Sequence, residues 1–244
     1  MARQDIHNSD IPVLCRSCEA RHKGMCGVLS PNQLTELSKH TTKMVFPAES
    51  EISPAGQKVT RHANILNGVV KLSKLTADGR QQIVGLQFAP DFMGRPFSRQ
   101  NDVATEAATD VRVCMFPASI LDELVHKNPE LEHRLHEQTL KELDEARDWM
   151  LTLGRKTASE KVASFLYLIA AHVDPEAENA EGPIRFDIPL KRSDIADFLG
   201  LTIETVSRQM TKLRFAGVIS IINNRTIEVP DLERLRAKTE EERG

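Results

Sequence analysis

The feature that most constrains the fold is a pair of short amphipathic segments joined by a glycine, in residues 189–215 (PLKRSDIADFLGLTIETVSRQMTKLRF). Ser193 predicts the N-cap of a first helix, and Gly200 predicts its end, because the residue after a helix often takes a left-handed backbone. Thr202 predicts the cap of a second helix. Two such helices with a tight turn predict a helix-turn-helix, whose second helix enters the DNA major groove. The apolar residues of the second helix share one face: Val206, Met210 and Leu213.

The outer face of the second helix carries side chains suited to base edges. Arg208 can donate two hydrogen bonds to guanine, and Glu204 can accept one from the amino group of cytosine. The two residues are four apart, so they can also brace each other. The predicted DNA-contacting residues are Arg192, Thr202, Glu204, Ser207, Arg208, Lys212 and Arg225.

The residues after the second helix predict a hairpin. Apolar residues alternate over 217–229 about Asn223-Asn224, a pattern typical of two short strands and a turn. This hairpin would lie beside the second helix as a wing, with Arg225 near its tip. The pattern alone also permits a small core-forming domain with no DNA contact.

Charge and composition exclude several classes of protein. The formal net charge is −3, whereas a protein that coats polyanions is strongly basic, so DNA contact must come from a local patch. No apolar run approaches the ~18 residues of a membrane span, and the polar first residues lack a secretory signal, so we expect a cytoplasmic chain that binds no membrane. No Ser-His-Asp, HExxH or P-loop pattern is present, so we expect no enzyme.

From about residue 44 to 118, short strands alternate with turns. Asn67-Gly68 and Asp78-Gly79 are typical hairpin turns, and the spacing predicts a small β-barrel or jelly roll. Residues 1–30, which we call the leader, lack apolar periodicity and predict a loop. The strand candidates are 45–46, 51–52, 65–66, 69–75, 82–88 and 111–116.

A long helix is predicted from about 130 to 153, after a break at Asn128-Pro129. It would be about 36 Å long, which is more than a small domain needs. Its narrow apolar stripe favours a dimer seam, although a helix packed on its own barrel fits the pattern too. Another helix over 157–171 and a polar linker over 173–184 follow. The apolar residues of this pattern are Leu131, Leu135, Leu140, Leu143, Met150 and Leu151.

The cysteines form a second informative pattern. Three follow the spacing Cys15-x2-Cys18-x7-Cys26 in the leader, and Cys114 stands alone in the last predicted strand. Disulfides are rare in a reducing cytoplasm. Four thiolates suit a [4Fe–4S] cluster and also structural zinc, although zinc more often uses two CxxC pairs. Ordinary free cysteines are the third possibility.

These motifs resemble the CRP/FNR family of bacterial transcription regulators over nearly the whole chain. The segment GLTIETVSRQMTKL carries the E-x-x-S-R pattern of the FNR branch as Glu204, Ser207 and Arg208. The resemblance implies an α+β fold: an N-terminal β-roll like the cyclic-nucleotide-binding jelly roll, a long dimerisation helix and a C-terminal winged helix-turn-helix. The implied domains are 1–30 (cysteine-bearing leader), 31–128 (β-roll sensor), 129–154 (dimerisation helix) and 155–244 (winged helix-turn-helix).

The cysteine spacing resembles that of oxygen-sensing FNR proteins, particularly FnrL-like regulators. The resemblance implies a [4Fe–4S] cluster on Cys15, Cys18, Cys26 and Cys114, whose destruction by oxygen weakens the dimer. It also implies a homodimer that binds an inverted repeat of TTGAT-like half-sites, contacts RNA polymerase and controls anaerobic or microaerobic genes. The segments 76–81 and 112–119 are candidates for the polymerase contact. The alternative is a regulator of the same family with structural zinc or no cofactor, and without oxygen sensing.

Two further expectations follow from the resemblance. Members that bind cyclic nucleotides carry a Gly-Glu pair and an Arg-Ser or Arg-Thr pair, whereas Gly94-Arg95-Pro96 replaces the first here and Ser98-Arg99 reverses the second. We therefore expect no cyclic nucleotide. A dimer-interface carboxylate of the family aligns with Asp148, where like charges would oppose dimerisation, unless this is a solvated helix face. The expected interface residues are Leu140, Leu143, Asp148, Met150 and Leu151.

Overall fold

A computed structural model describes residues 11–16, 18–173, 182–223 and 225–240. The chain forms two compact units. The first takes in the described residues up to Leu75 together with Val84–Asp144, and the second takes in Thr76–Ile83 together with the described residues from Glu145 onward. Among the described residues, no helix has the length and apolar character needed to cross a membrane.

Two four-stranded sheets form the centre of the first unit. One has the order β1-β8-β3-β6 and the other β2-β7-β4-β5. The strand bounds are β1 Thr42–Phe46, β2 Glu51–Ser53, β3 Arg61–Asn67, β4 Val69–Leu75, β5 Gln81–Phe88, β6 Phe92–Met93, β7 Ala104–Ala107 and β8 Val111–Pro117.

The alternation of β8 explains how the first sheet has two covered faces. Val111 and Val113 are fully buried and pack between the sheets with residues of β3, β4 and β7. Successive side chains of a strand point to opposite faces, so Cys114 and Phe116 lie on the outer face. Phe116 is buried there beneath a layer of helices.

The described part of the leader belongs to this helical layer, so the prediction of a loop was wrong. It forms α1 (Val13–Arg16), α2 (Glu19–Lys23) and a 3₁₀ turn (Met25–Val28), followed by α3 (Pro31–Lys39). Ile11, Met25 and Leu29 are buried among apolar residues of α3, α4 (Ala118–Lys127) and α5 (Pro129–Arg155). Three isolated apolar side chains anchor the leader without any helical periodicity, which is why the sequence pattern missed them.

One of the two predicted hairpins was also wrong. Asp78-Gly79 joins β4 to its sheet neighbour β5, as predicted. Asn67-Gly68 instead passes the chain from β3 in one sheet to β4 in the other. Gly68 has a φ of +92°, so its left-handed conformation serves a crossing between sheets rather than a hairpin.

The break between α4 and α5 lies at Asn128-Pro129, as predicted. Asn128 Oδ1 accepts hydrogen bonds from the backbone N–H groups of Glu130 and Leu131, at 3.1 and 3.3 Å, and so caps α5. The 27 residues of α5 make a helix of about 40 Å.

The second unit contains the predicted helix-turn-helix and wing. Its elements are α6 (Ala158–Val173), β9 (Ile184–Asp187), α7 (Arg192–Leu199), α8 (Ile203–Phe215), β10 (Ser220–Ile221), β11 (Thr226–Val229) and α9 (Leu232–Ala237). The wing is three-stranded, in the order β10-β11-β9, because β9, which begins at the last residue of the predicted linker, pairs with β11. Most of that linker, 174–181, and Asn224 of the wing turn lie outside the described residues.

The structure confirms the predicted N-cap of the second helix of the helix-turn-helix but not that of the first. Thr202 Oγ1 accepts from the backbone N–H of Thr205 at 3.2 Å, and Gly200 takes a φ of +62°, both as predicted. The prediction for Ser193 was wrong, because α7 begins at Arg192 and Lys191 occupies its N-cap.

Candidate functional site

The four cysteines, although far apart in sequence, line one small cavity in the first unit. Cys15 lies on α1, Cys18 between α1 and α2, Cys26 on the 3₁₀ turn and Cys114 in β8, and all four are partly buried. We call this space the thiol cavity. Its other lining residues are Arg21, Leu37, Ser38, Thr41, Lys43, Asn64 and Leu66.

Short backbone turns bring the three leader cysteines together. The N–H of Cys15 donates to Pro12 O at 2.8 Å, that of Cys18 to Cys15 O at 3.3 Å, and that of Arg21 to Cys18 O at 3.1 Å. Fully buried Met25 fixes the turn that carries Cys26. These turns and Met25 place the three leader cysteines on the wall of one cavity.

The sheet supplies the opposite wall of the thiol cavity. Cys114 stands directly opposite Lys43 of β1 and opposite Asn64 of β3 in the antiparallel register. Asn64 Nδ2 donates to Cys26 Sγ at 3.4 Å, so a strand side chain contacts a leader thiol.

The thiols interact electrostatically as a group. Burial raises the pKa of the Cys26 thiol, and the thiols of Cys114, Cys18 and Cys15 raise it further, whereas the hydrogen bond from Asn64 lowers it. Burial likewise raises the pKa values of Cys15 and Cys114 above the ordinary thiol value. Four thiolates can therefore coexist there only with a compensating positive centre.

The cavity wall already supplies some of that compensation. Lys43 lowers the pKa values of both Cys15 and Cys114, and Arg21 lowers that of Cys15. Thr41 also lowers the Cys114 pKa through a hydrogen bond. Such a set of soft donors with cationic neighbours can hold an anionic metal–thiolate centre.

The spacing of the donors bears on the kind of centre. Zn–S bonds of 2.3 Å place the thiolates of a tetrahedral zinc site about 3.8 Å apart. Among the described residues, no three His, Cys, Asp or Glu side chains approach closely enough to share one ion. All four thiols nevertheless line the same cavity.

The exposed face of α8 carries the residues predicted to contact DNA. Thr202, Glu204, Ser207, Arg208 and Lys212 are all exposed. The opposite face is buried and holds the helix in place through Val206, Met210 and Leu213, which are at most 3% exposed.

The expected bracing of Glu204 by Arg208 is replaced by other contacts. Arg208 Nη2 donates to Thr205 Oγ1 at 3.3 Å. The Glu204 carboxyl accepts hydrogen bonds from the backbone N–H of Glu204 and from the side chain of Thr202. Both bonds lower its pKa, so Glu204 stays ionised and can act as an acceptor. Each side chain therefore contacts a threonine at the start of α8, Arg208 through Thr205 and Glu204 through the N-cap Thr202.

Arg192 and Arg225, the two predicted DNA-contacting arginines outside α8, differ in their exposure to solvent. Arg192, the first residue of α7, is half-buried, and burial lowers the pKa of its guanidinium. Arg225 is exposed at the end of the wing, and its backbone N–H donates to Asn223 Oδ1 at 2.8 Å.

The predicted dimer residues lie on the exposed surface of α5. Four apolar side chains and one carboxylate are concerned, and we call them the α5 stripe: Leu140 (60% exposed), Leu143 (44%), Asp148, Met150 (73%) and Leu151 (58%).

Sequence reasoning missed the residues that connect the leader to α5. Asn128 Nδ2 donates to Val28 O at 3.2 Å, and Arg134 Nη2 donates to Lys23 O at 2.7 Å. It also missed Asn64, although a polar residue between Ala63 and Ile65 in a buried strand was a detectable signal.

Comparisons with known proteins agree with both halves of this architecture. A family model of the Crp-like helix-turn-helix domain matches residues 160–238, and one of the cyclic nucleotide-binding domain matches residues 43–128. The chain is 54% identical over 235 residues to a "Probable transcriptional activator" of Rhizobium leguminosarum bv. viciae, covering 96% of this chain and 97% of the relative.

The chain is also similar over most of its length to a second relative and to a solved structure. Transcriptional activator protein FnrL of Cereibacter sphaeroides is 39% identical over 222 residues, covering 91% of this chain and 90% of that protein. The solved structure of FixK2 from Bradyrhizobium japonicum superposes with a TM-score of 0.74 and 30% identity, covering 83% of this chain and 99% of that one.

Proposed function

The chain belongs to the CRP/FNR family of transcription regulators, which are DNA-binding proteins and not enzymes, and from this premise we propose that it is an oxygen-responsive [4Fe–4S] regulator of anaerobic and microaerobic genes. One observation carries the proposal: every cysteine of the chain lines the same cavity. Three come from the leader and one from β8, so a shared centre would fasten the leader to the roll.

The all-thiolate donor set of the thiol cavity suits the proposed iron–sulfur cluster. In a cubane cluster each thiolate binds a different iron, so the thiolates surround the centre more widely than around one zinc ion. Lys43 and Arg21 would offset the negative charge of a thiolate-bound cluster. Cys15, Cys18, Cys26 and Cys114 would be its ligands.

Such a cluster would supply a centre that dioxygen destroys. The chain's own residues would convert that event into a signal. Asn128 and Arg134 hold the carbonyl groups of Val28 and Lys23 and so bind the end of the leader to the first turns of α5. Buried Met25 and Leu29 pack in the same apolar cluster as Leu131 and Leu135 of α5. A leader released from Cys114 would therefore loosen the support of the dimerisation helix.

The output would be a homodimer on DNA. The exposed α5 stripe is suited to a two-fold seam, in which paired Asp148 carboxylates would set a threshold against dimerisation. Two copies of α8 would then read an inverted repeat of TTGAT-like half-sites through Glu204, Ser207 and Arg208. By analogy with the activators it resembles, the protein would contact RNA polymerase in the cytoplasm.

A cyclic nucleotide is not the proposed effector. The likeness to the cyclic nucleotide-binding domain concerns the roll, but Arg95 stands where nucleotide-binding members have a glutamate. Arg95 forms an ion pair with Asp102, so its guanidinium already has a partner within the chain.

Metal analysis tests the proposal. The full chain is purified under nitrogen, and iron, acid-labile sulfide, zinc and the visible spectrum are measured. We expect iron and sulfide in equal amounts, near four of each per chain as a [4Fe–4S] cluster requires, and a spectrum that changes on admission of air. Zinc without iron, or a spectrum that air leaves unchanged, would contradict the proposal.

A further inference from the structure

Asn64 is a polar residue of the thiol cavity at a buried strand position. It lies in the middle of β3 and is 2% exposed, between buried Ala63 and Ile65. An apolar side chain would normally occupy such a position, because a buried amide must be paired to avoid a desolvation cost.

The pairing of this amide is one-sided. Nδ2 donates to Cys26 Sγ at 3.4 Å, whereas Oδ1 is buried and meets no hydrogen-bond donor among the described residues. A thiol is a weak acceptor, so the bond that orients Asn64 is a poor one while Cys26 is protonated. The same bond becomes charge-assisted, and considerably stronger, when Cys26 is a thiolate.

The register places Asn64 between two of the four cysteines. It stands opposite Cys114 in the β3–β8 ladder and so shares the outer face of the sheet with it. From there its amide reaches across to Cys26 on the leader. Asn64 is therefore a strand residue whose hydrogen bond joins the sheet side and the leader side of the thiol cavity.

We propose that Asn64 is a positioning residue for a metal-bound Cys26 thiolate, which it holds toward the cavity by an N–H···S hydrogen bond. The inference rests on the proposed function, since it requires a cluster on these cysteines. Partners that hydrogen-bond a metal ligand orient it and adjust the electron density on the ligating atom. For an iron–sulfur centre, such bonds to sulfur are one of the protein's means of adjusting the cluster.

The test compares two substitutions that keep the branching of the side chain at Cγ. Asn64→Leu removes the donor without adding charge, and Asn64→Asp removes the donor and adds a negative charge beside the thiolate. His62→Leu is the matched control, because His62 lies on the same strand and face, is 3% exposed and does not line the thiol cavity. Its buried Nδ1 also meets no hydrogen-bond partner in the part of the chain that the structure describes.

Two measurements on the full chain under nitrogen read out the hydrogen bond directly. The first is the rate of iron release to an excess of ferrous chelator, and the second is the Fe–S(Cys) stretching frequency in resonance Raman spectra. We expect Asn64→Leu to release iron roughly tenfold faster and to shift a stretching band to higher frequency. Asn64→Asp should release iron at least as fast, whereas His62→Leu should match the wild type in both measurements.

The outcomes separate this inference from the function on which it rests. Wild-type protein with no iron–sulfur chromophore overturns both. A wild-type chromophore whose iron release and stretching bands are unchanged in Asn64→Leu and Asn64→Asp overturns the inference alone. An equal change in His62→Leu also overturns it, because any disturbance of the strand would then suffice. Should Asn64→Leu fail to accumulate, the comparison of Asn64→Asp with His62→Leu decides the matter by the same two measurements.

Discussion

Asn128 donates through Nδ2 to the backbone carbonyl oxygen of Val28, at 3.2 Å, and so joins the leader to the start of α5. Its Oδ1 meanwhile accepts the N–H groups of the first turn of that helix. One side chain therefore caps α5 and anchors the segment that carries three of the four cysteines. In the proposed mechanism, this is where the state of the cavity reaches the dimerisation helix.

The two roles of Asn128 can be separated by substitution. Asn128→Ala loses the cap and the anchor, so we expect the free energy of unfolding to fall by about 1 kcal/mol or more. Asn128→Asp keeps an oxygen for the cap but has no amide donor for Val28. In denaturant titrations it should therefore be more stable than Asn128→Ala, while resembling it in weakened self-association of the iron-loaded protein. Equal stability of the two variants would contradict the capping role.

Arg208→Ala tests base reading by α8. Loss of a bidentate contact with guanine should cost roughly 1–3 kcal/mol and relax the preference at that base pair. Lys212→Ala is the matched control, since a lysine contact with phosphate should weaken all sequences alike and lower the salt dependence by about one counterion. Binding titrations on the TTGAT-like site and on single-base variants distinguish the two patterns. An unchanged sequence profile in Arg208→Ala would count against its role.

The α5 stripe yields a pair of opposite predictions. Leu143→Glu places a charge in the expected seam and should weaken self-association at least about tenfold, equivalent to 1.4 kcal/mol. Asp148→Ala removes a like-charge repulsion and should strengthen the dimer of the metal-free chain. Sedimentation equilibrium under nitrogen measures both effects. Self-association of Leu143→Glu equal to that of the wild type would contradict a dimer interface on the α5 stripe.

Gly68 and Gly79 provide a matched pair of glycine-to-alanine substitutions in the β-roll, because they share a positive φ but differ in the space around a new Cβ. Both have positive φ, +92° and +84°, so alanine should cost roughly 1–2 kcal/mol of backbone strain at either position. At Gly79 a new Cβ meets no atom of the described residues within 4 Å, whereas at Gly68 it would collide with Asp110 O and lie 2.9 Å from Thr109 Oγ1. Thermal unfolding should therefore show a distinctly larger loss for Gly68→Ala. Equal losses would contradict the close packing of Gly68 against Thr109 and Asp110 at the crossing between the sheets.

The local rules that worked concern residues whose neighbours in sequence decide their conformation. Thr202 caps α8 by bonding three residues ahead, and Gly200 needs only its own lack of a side chain. The strand over 111–116 was likewise predicted from its own residues and is observed as β8. These features are predictable because the partner lies within one turn or one pleat.

The failures concern residues whose partners are distant in sequence. β7 (ATEA) has little intrinsic strand preference and exists because β2 and β4 pair with it on either side. Met25 is buried by α3, α4 and α5, which no pattern within residues 1–30 reveals. The cysteine spacing suggested a shared site, but the contributions of Asn64 and Lys43 depend on a strand register that sequence periodicity does not specify.

Occupancy of a duplex bearing the inverted TTGAT-like repeat, measured under nitrogen and again after exposure to air, tests the central claim most directly. We predict tight binding by the iron-loaded wild type, loss of binding in step with loss of the iron–sulfur chromophore, and weak binding by Cys114→Ser even under nitrogen. Full occupancy by Cys114→Ser under nitrogen, or by the wild type after the chromophore has disappeared in air, would contradict the claim.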